Sequence, residues 1–303
     1  MSHAGRTEPK KNGRLIAWNG LQLHIPRNWE VRVSGQRHLV FEKDFQPQLQ
    51  IRWEKPAQSQ LRALQERASH FASRMGTIIE EDDFPPAWRY LRDIFRLATC
   101  YQGESGMLEG GIFLCTDDRT LVLFQLFLPD PATGTAAVDR APFVEIRECL
   151  ATIACRNDPD NIWCMQDFAL TLPVSYTLQD YTFAAGLTRI SFTNGDLLVQ
   201  TCTLGPADSR LAQQSLQGIL LTLADTADLE TTTSEENTSC EGYRSPTIGR
   251  QVLLRLRREK SFIRAKIWHE VAGNRLLVVI LFSNRPIPPT AIHDICRQYE
   301  IIP

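Results

Sequence analysis

The residues best placed to do chemistry in this chain are cations. Arg250, Arg255, Arg257, Arg258, Lys260, Arg264 and Lys266 fall within seventeen positions, with Glu259 as the only acid among them. Guanidinium forks and ammonium groups gathered on one surface suit phosphate or carboxylate recognition, and a neighbouring aromatic ring adds a stacking or cation–π contact. Read as a strand, Val252 to Arg257 puts Leu253, Arg255 and Arg257 on one face; in the strand from Phe262, Arg264, Lys266 and Trp268 share a face. A hairpin turning near Arg258 to Lys260 is therefore expected to present Arg255, Arg257, Arg264, Lys266 and Trp268 together, as an anion- or partner-binding surface. The bland alternative is a solvated sheet face. Residues 158–249 hold twelve acidic and three basic groups, enough to neutralise it locally.

The first half offers aromatics instead. Phe84-Pro85-Pro86-Ala87-Trp88 follows an acidic run, Glu80 to Asp83, and a loop carrying Phe and Trp either folds back over a sheet edge or offers an anchor to a partner. Phe84 and Trp88 are the partner-anchor candidates.

Signatures of catalysis are not found. Gly103-Glu104-Ser105-Gly106 misses the G-x-S-x-G spacing of a nucleophile elbow, and no glycine-rich phosphate loop occurs. The six histidines never stand four apart, and the eight cysteines form no C-x-x-C pair, so neither a local metal site nor a redox motif is expected. Asp117 and Asp118, adjacent in a tight turn, read as solvated carboxylates rather than an acid–base pair. No catalytic residue, cofactor or metal is assigned, and an enzymatic role is the less expected one.

Composition narrows the class. A chain of 303 residues suits two domains, and 43% hydrophobic with 22% charged residues matches a globular protein. A formal net charge of −2 argues against a general nucleic-acid binder. No apolar run reaches the ~20 residues of a membrane span. The start is polar, without a secretory apolar stretch, and the cysteines fall in core-like patterns, so a cytoplasmic location with reduced thiols is expected.

The elements that must position these residues occur twice. Leu21-x-Leu23-x-Ile25-Pro26-x-x-Trp29 matches Phe168-x-Leu170-x-Leu172-Pro173-x-x-Tyr176 at an offset of 147 positions (173 − 26). Alternation makes each a half-buried strand that its proline ends. Strands at 39–42 and 49–53 answer strands at 187–192 and 197–204. Each pair precedes a helix, marked by Leu61, Leu64, Ala68, Phe71 and Met75 in one half and by Leu211, Ile219, Leu220 and Leu223 in the other, with Asp208 or Ser209 as the second helix's cap. Later strands, 107–115 and 120–128 against 252–257, 262–270 and 275–282, lead to closing helices near 141–154 and 289–298. The reading is a flexible tail over residues 1–14 and two tandem α+β repeats, 15–157 and 158–303, each an antiparallel sheet packed with helices. Thr231 to Ser239, rich in Ser, Thr and Glu, reads as a loop.

The repeated strand, Ile-Pro or Leu-Pro and following aromatic resemble the PsbP-like fold group, which includes photosystem II extrinsic subunits, a yeast Ran-binding import factor and bacterial DcrB-like domains. The resemblance covers about residues 15–155 and 162–302 and implies a binding or assembly role without an active site. The expected function is thus a non-enzymatic protein-binding, adaptor or chaperone-like protein with a protein partner. The alternative is a small anionic ligand-binding module, or an enzyme without a recognisable signature, that uses the basic hairpin.

Overall fold

The structure is a computed structural model that describes residues 13–55, 66, 70, 77–79, 86–102, 108–115, 120–127, 141–155, 160–257 and 259–302. The chain separates into two compact units, Met1–Asn157 with Cys164–Gln166, and Asp158–Trp163 with Asp167–Pro303.

In the first unit, strands β1 (Gly13–Trp18) and β2 (Leu21–Pro26) form a hairpin, and β10 (Ala154–Cys155) pairs with β2. Strands β3 (Glu30–Gly35), β4 (His38–Lys43), β5 (Gln46–Glu54), β6 (Thr77–Ile79), β7 (Phe95–Gln102), β8 (Leu108–Cys115) and β9 (Leu121–Phe127) build a seven-stranded antiparallel sheet in the order β3-β4-β5-β9-β8-β7-β6. A 3₁₀ helix, Pro86–Leu91, precedes β7, and helix α1 (Ala141–Leu150) precedes β10. Trp29 and Trp53 are fully buried, and Phe95, Phe113 and Phe124 pack ring against ring at 5.1–5.9 Å. The Trp29 indole N–H donates to Glu145 Oε2 and that of Trp53 to the Asn19 carbonyl, which lets two large polar-tipped rings be buried cheaply.

Strand β11 (Asp160–Met165) has residues in both units, and the second unit contains β12 (Phe168–Pro173), β13 (Thr177–Ala184), β14 (Leu187–Asn194), β15 (Leu197–Leu204), β16 (Glu230–Thr233), β17 (Ser239–Arg244), β18 (Phe262–Glu270), β19 (Arg275–Ser283) and β20 (Tyr299–Ile301). Its helices are α2 (Ala207–Leu211), α3 (Leu216–Leu223), α4 (Ile248–Leu256) and α5 (Pro289–Arg297). Its seven-stranded sheet runs β13-β14-β15-β19-β18-β17-β16, the same path as the first unit's with every strand number advanced by ten. Here too the last strand, β20, pairs with the second, β12.

Strand β19 is buried along almost its whole length because both of its faces are covered. On one side Leu216, Ile219 and Leu220 of α3 pack on Ile263, Ala265, Ile267, Leu276, Val278 and Ile280. Alternation turns Leu277, Val279 and Leu281 to the other side, the side of α5, whose Ile292 and Ile295 are buried.

Three expectations are corrected. The chain is not a balanced α+β protein but mostly antiparallel sheet, 53% strand and 19% helix, and among the described residues the longest helix, α1, has ten residues. Polar alternating segments such as β3 and β13, too exposed to read as strands by hydrophobicity, supply the difference. The single helix expected from Leu211 to Leu223 is two helices, and Ser215 caps the second by accepting from the Gly218 amide. The stretch 231–239 is not all loop, since β16 ends at Thr233 and β17 starts at Ser239. The apolar stripe from Leu61 to Met75 lies outside the described residues except at 66 and 70, as does the tail up to residue 12; residues 13 and 14 open β1.

Candidate functional site

Strand β18 sets the site. Its alternation turns Ile263, Ala265 and Ile267 into the α3 core and leaves Arg264, Lys266 and Trp268 partly exposed on the α5 side. Its neighbours are β17 and β19, so Lys266 stands opposite Glu241 and Val279, and Trp268 opposite Ser239 and Leu277. The Lys266 ammonium donates to Glu241 Oε1 at 2.8 Å, and His293 Nε2, on α5, lies 3.6 Å from the same oxygen. The Lys266 hydrogen bond holds the Glu241 carboxyl below the usual carboxylate range, with partial burial opposing it.

Trp268 is anchored from beneath. Its ring meets Tyr299 edge to face at 5.9 Å, and the buried Tyr299 hydroxyl is 2.6 Å from Thr203 Oγ1. Above this layer a groove of about 450 Å³ opens between β17, β18 and α5. Thr238 and Ser239 form one wall, Lys266 and Trp268 the floor, and His293, Cys296 and Arg297 the wall supplied by α5; His269 borders the groove at the end of β18, with alternation turning its side chain to the α3 face. The spacing 293, 296, 297 aims three α5 side chains at one side, as i, i+3, i+4 positions must. His269 Nε2 is shielded from water and has no hydrogen-bond partner among the described residues, a deficit of about 1–3 kcal/mol for a neutral polar group. Burial pushes the Cys296 thiol up to about 12, which keeps it protonated and unreactive as a nucleophile at neutral pH.

The basic hairpin does not form. Residues 248–256 are helix α4, not a strand, and β18 takes β17 as its partner in place of 252–257. Apolar residues at 248, 252 and 256 repeat with helical spacing; the Leu-Arg-Leu-Arg alternation inside the same window hid it. Arg255 is carried by the last turn of α4, and Arg257 follows the helix, exposed. Arg264 donates from Nε to the Ile287 carbonyl at 3.2 Å. Of the expected cluster, Lys266 and Trp268 share the groove, and among the described side chains Arg257 and Arg264 do not line it. Phe84 lies outside the described residues, and Trp88 belongs to the 3₁₀ helix Pro86–Leu91.

A second surface was not visible in the sequence reading. On α4, Ile248 is 81% exposed, Val252 54%, Leu253 48% and Leu256 78%, while Leu254 is buried. At 100° per residue the four exposed side chains cover one arc of the helix, with Leu254 on the opposite side. Arg250 ion-pairs with Asp228. His293, Cys296 and Arg297 were missed because only the β18–α5 packing gathers them; the one sequence signal was the i, i+3, i+4 run of polar and thiol side chains in the closing helix.

Among the described residues no three His, Cys, Asp or Glu side chains are placed to hold a metal ion, and no helix is long and apolar enough to cross a membrane. No family model matches the chain, and no curated protein sequence matches it.

Proposed function

We propose that the protein is a non-enzymatic binding protein of the adaptor or chaperone-like kind, and that its second unit docks a protein partner on the exposed face of α4. The observation that carries this reading is the contiguous apolar arc of Ile248, Val252, Leu253 and Leu256. Isolated exposed aliphatics are ordinary, but four on one face of a nine-residue helix form a patch of the kind that marks interaction surfaces. Arg257, exposed at the end of the arc, favours a partner whose apolar ridge is bordered by carboxylates. The resemblance to the PsbP-like group, mostly binding and assembly proteins, belongs to the same proposal and rests on the repeated strand and its Ile-Pro or Leu-Pro step. So does a cytoplasmic location, supported by Cys115, Cys149 and Cys202 being buried as small hydrophobes.

The test compares the full chain with its Val252→Glu/Leu256→Glu variant in native pull-downs and in titrations of the recovered partner. The wild type should retain one stoichiometric partner that the variant loses, with affinity falling as salt rises. Identical capture by both proteins, or sedimentation showing that the arc closes on a second copy of the chain, overturns the reading.

A further inference from the structure

We infer that the groove between β17, β18 and α5 binds a small monocarboxylate with an apolar or aromatic body. The inference is independent of α4.

The charges around the groove select the anion. Lys266 and Arg297 bring two positive charges and Glu241 one negative, a surplus of one among these three groups. Lys266 spends one of its three N–H donors on Glu241 and keeps two, and Arg297 has no ion pair among the described residues. A monoanion matches that surplus. A dianion would leave a charge uncompensated where water is partly excluded, which is costly.

The volume and lining select the body. About 450 Å³ is far more than an inorganic anion fills and lies in the range of small-molecule sites. Trp268, held against Tyr299, offers a fixed ring surface, and the protonated Cys296 thiol lines the opposite wall as an apolar group.

The probe is 4-fluorobenzoate, followed by fluorine NMR and calorimetry on the full chain. The expected result is saturable one-to-one binding, with the neutral 4-fluorobenzamide at least about tenfold weaker and inorganic phosphate unable to displace the benzoate. Lys266→Met should weaken binding about tenfold, the scale of one charge-assisted hydrogen bond, and Arg297→Gln about threefold. Circular dichroism checks each fold. If Lys266→Met unfolds because Glu241 is stranded, Lys266→Met/Glu241→Gln removes both charges and is read in its place. The inference is overturned by the absence of saturable binding up to about 10 mM, by equal binding of the amide, by displacement with phosphate, or by wild-type affinity in the folded Lys266 variant.

Discussion

Lys266 Nζ and Glu241 Oε1 lie 2.8 Å apart on directly opposed residues of β18 and β17, and the pair fixes the ammonium that lines the groove. Because Lys266 depresses the Glu241 carboxyl below its ordinary 4.5, the folded state holds fewer protons than the unfolded chain as the pH falls through that range. The stabilisation is fully present above pH 4.5 and is lost as the pH drops through the depressed folded value. Glu241 is 44% exposed, so solvent screening limits the contribution to about 0.5 kcal/mol. Urea unfolding of Glu241→Gln should show that loss at neutral pH and converge with wild type in acid. A constant difference at every pH would contradict the assignment.

The Tyr299 hydroxyl and Thr203 Oγ1, 2.6 Å apart in the buried layer under Trp268, form a closed pair. Tyr299→Phe strands the threonine hydroxyl and should destabilise by about 1–3 kcal/mol, and adding Thr203→Val should recover part of that loss, because both polar partners are then gone. Burial also raises the Tyr299 phenol well above 10.0, so the unfolded chain ionises first and stability should decline as the pH climbs past 10.0. Additive effects in the double-mutant cycle would refute the coupling.

Ser215 accepts from the Gly218 amide at the start of α3. Ser215→Ala should lower stability by about 1 kcal/mol, measured by thermal unfolding. Ser209→Ala, at the position that reads as the cap in the sequence, should change it by less than about 0.5 kcal/mol, as an exposed substitution does. The reverse ranking would place the cap wrongly.

Gly186 and Gly195 both hold positive φ, +71° and +59°, but their surroundings differ. A Cβ on Gly186 would sit 2.4 Å from the Gly205 carbonyl oxygen, a backbone atom that cannot give way, whereas one on Gly195 meets nothing within 4 Å. Gly195→Ala should cost about 1 kcal/mol for the left-handed backbone alone. Gly186→Ala should cost more, about 3 kcal/mol, once the clash is added. Equal losses in chemical denaturation would show that the close approach is absent.

Where burial is one-sided or complete, the strands were legible. Leu197–Leu204 and Phe262–Glu270 are strands with the limits that their patterns mark, and Trp29 and Trp53 are core as their positions require. Strands β3 and β13 were not legible, because their exposed faces carry too little hydrophobic contrast and each stands at a sheet edge, paired with β4 or β14 alone. Arginine and leucine in alternation around residue 254 fit two periods at once, and a nine-residue window cannot separate them.

The groove shows the same division. Lys266 and Trp268 could be placed on one face from the sequence, since strand alternation is a local property of the backbone. That Lys266 meets Glu241, and that α5 brings His293, Cys296 and Arg297 over them, depends on which strand pairs with β18 and which sheet face α5 covers. The sequence alone determined the periodicities, the duplicated strand motif and which residues share a face of a strand. Tertiary structure decided which faces meet, because strand partners and helix docking are chosen by long-range burial that no local pattern encodes.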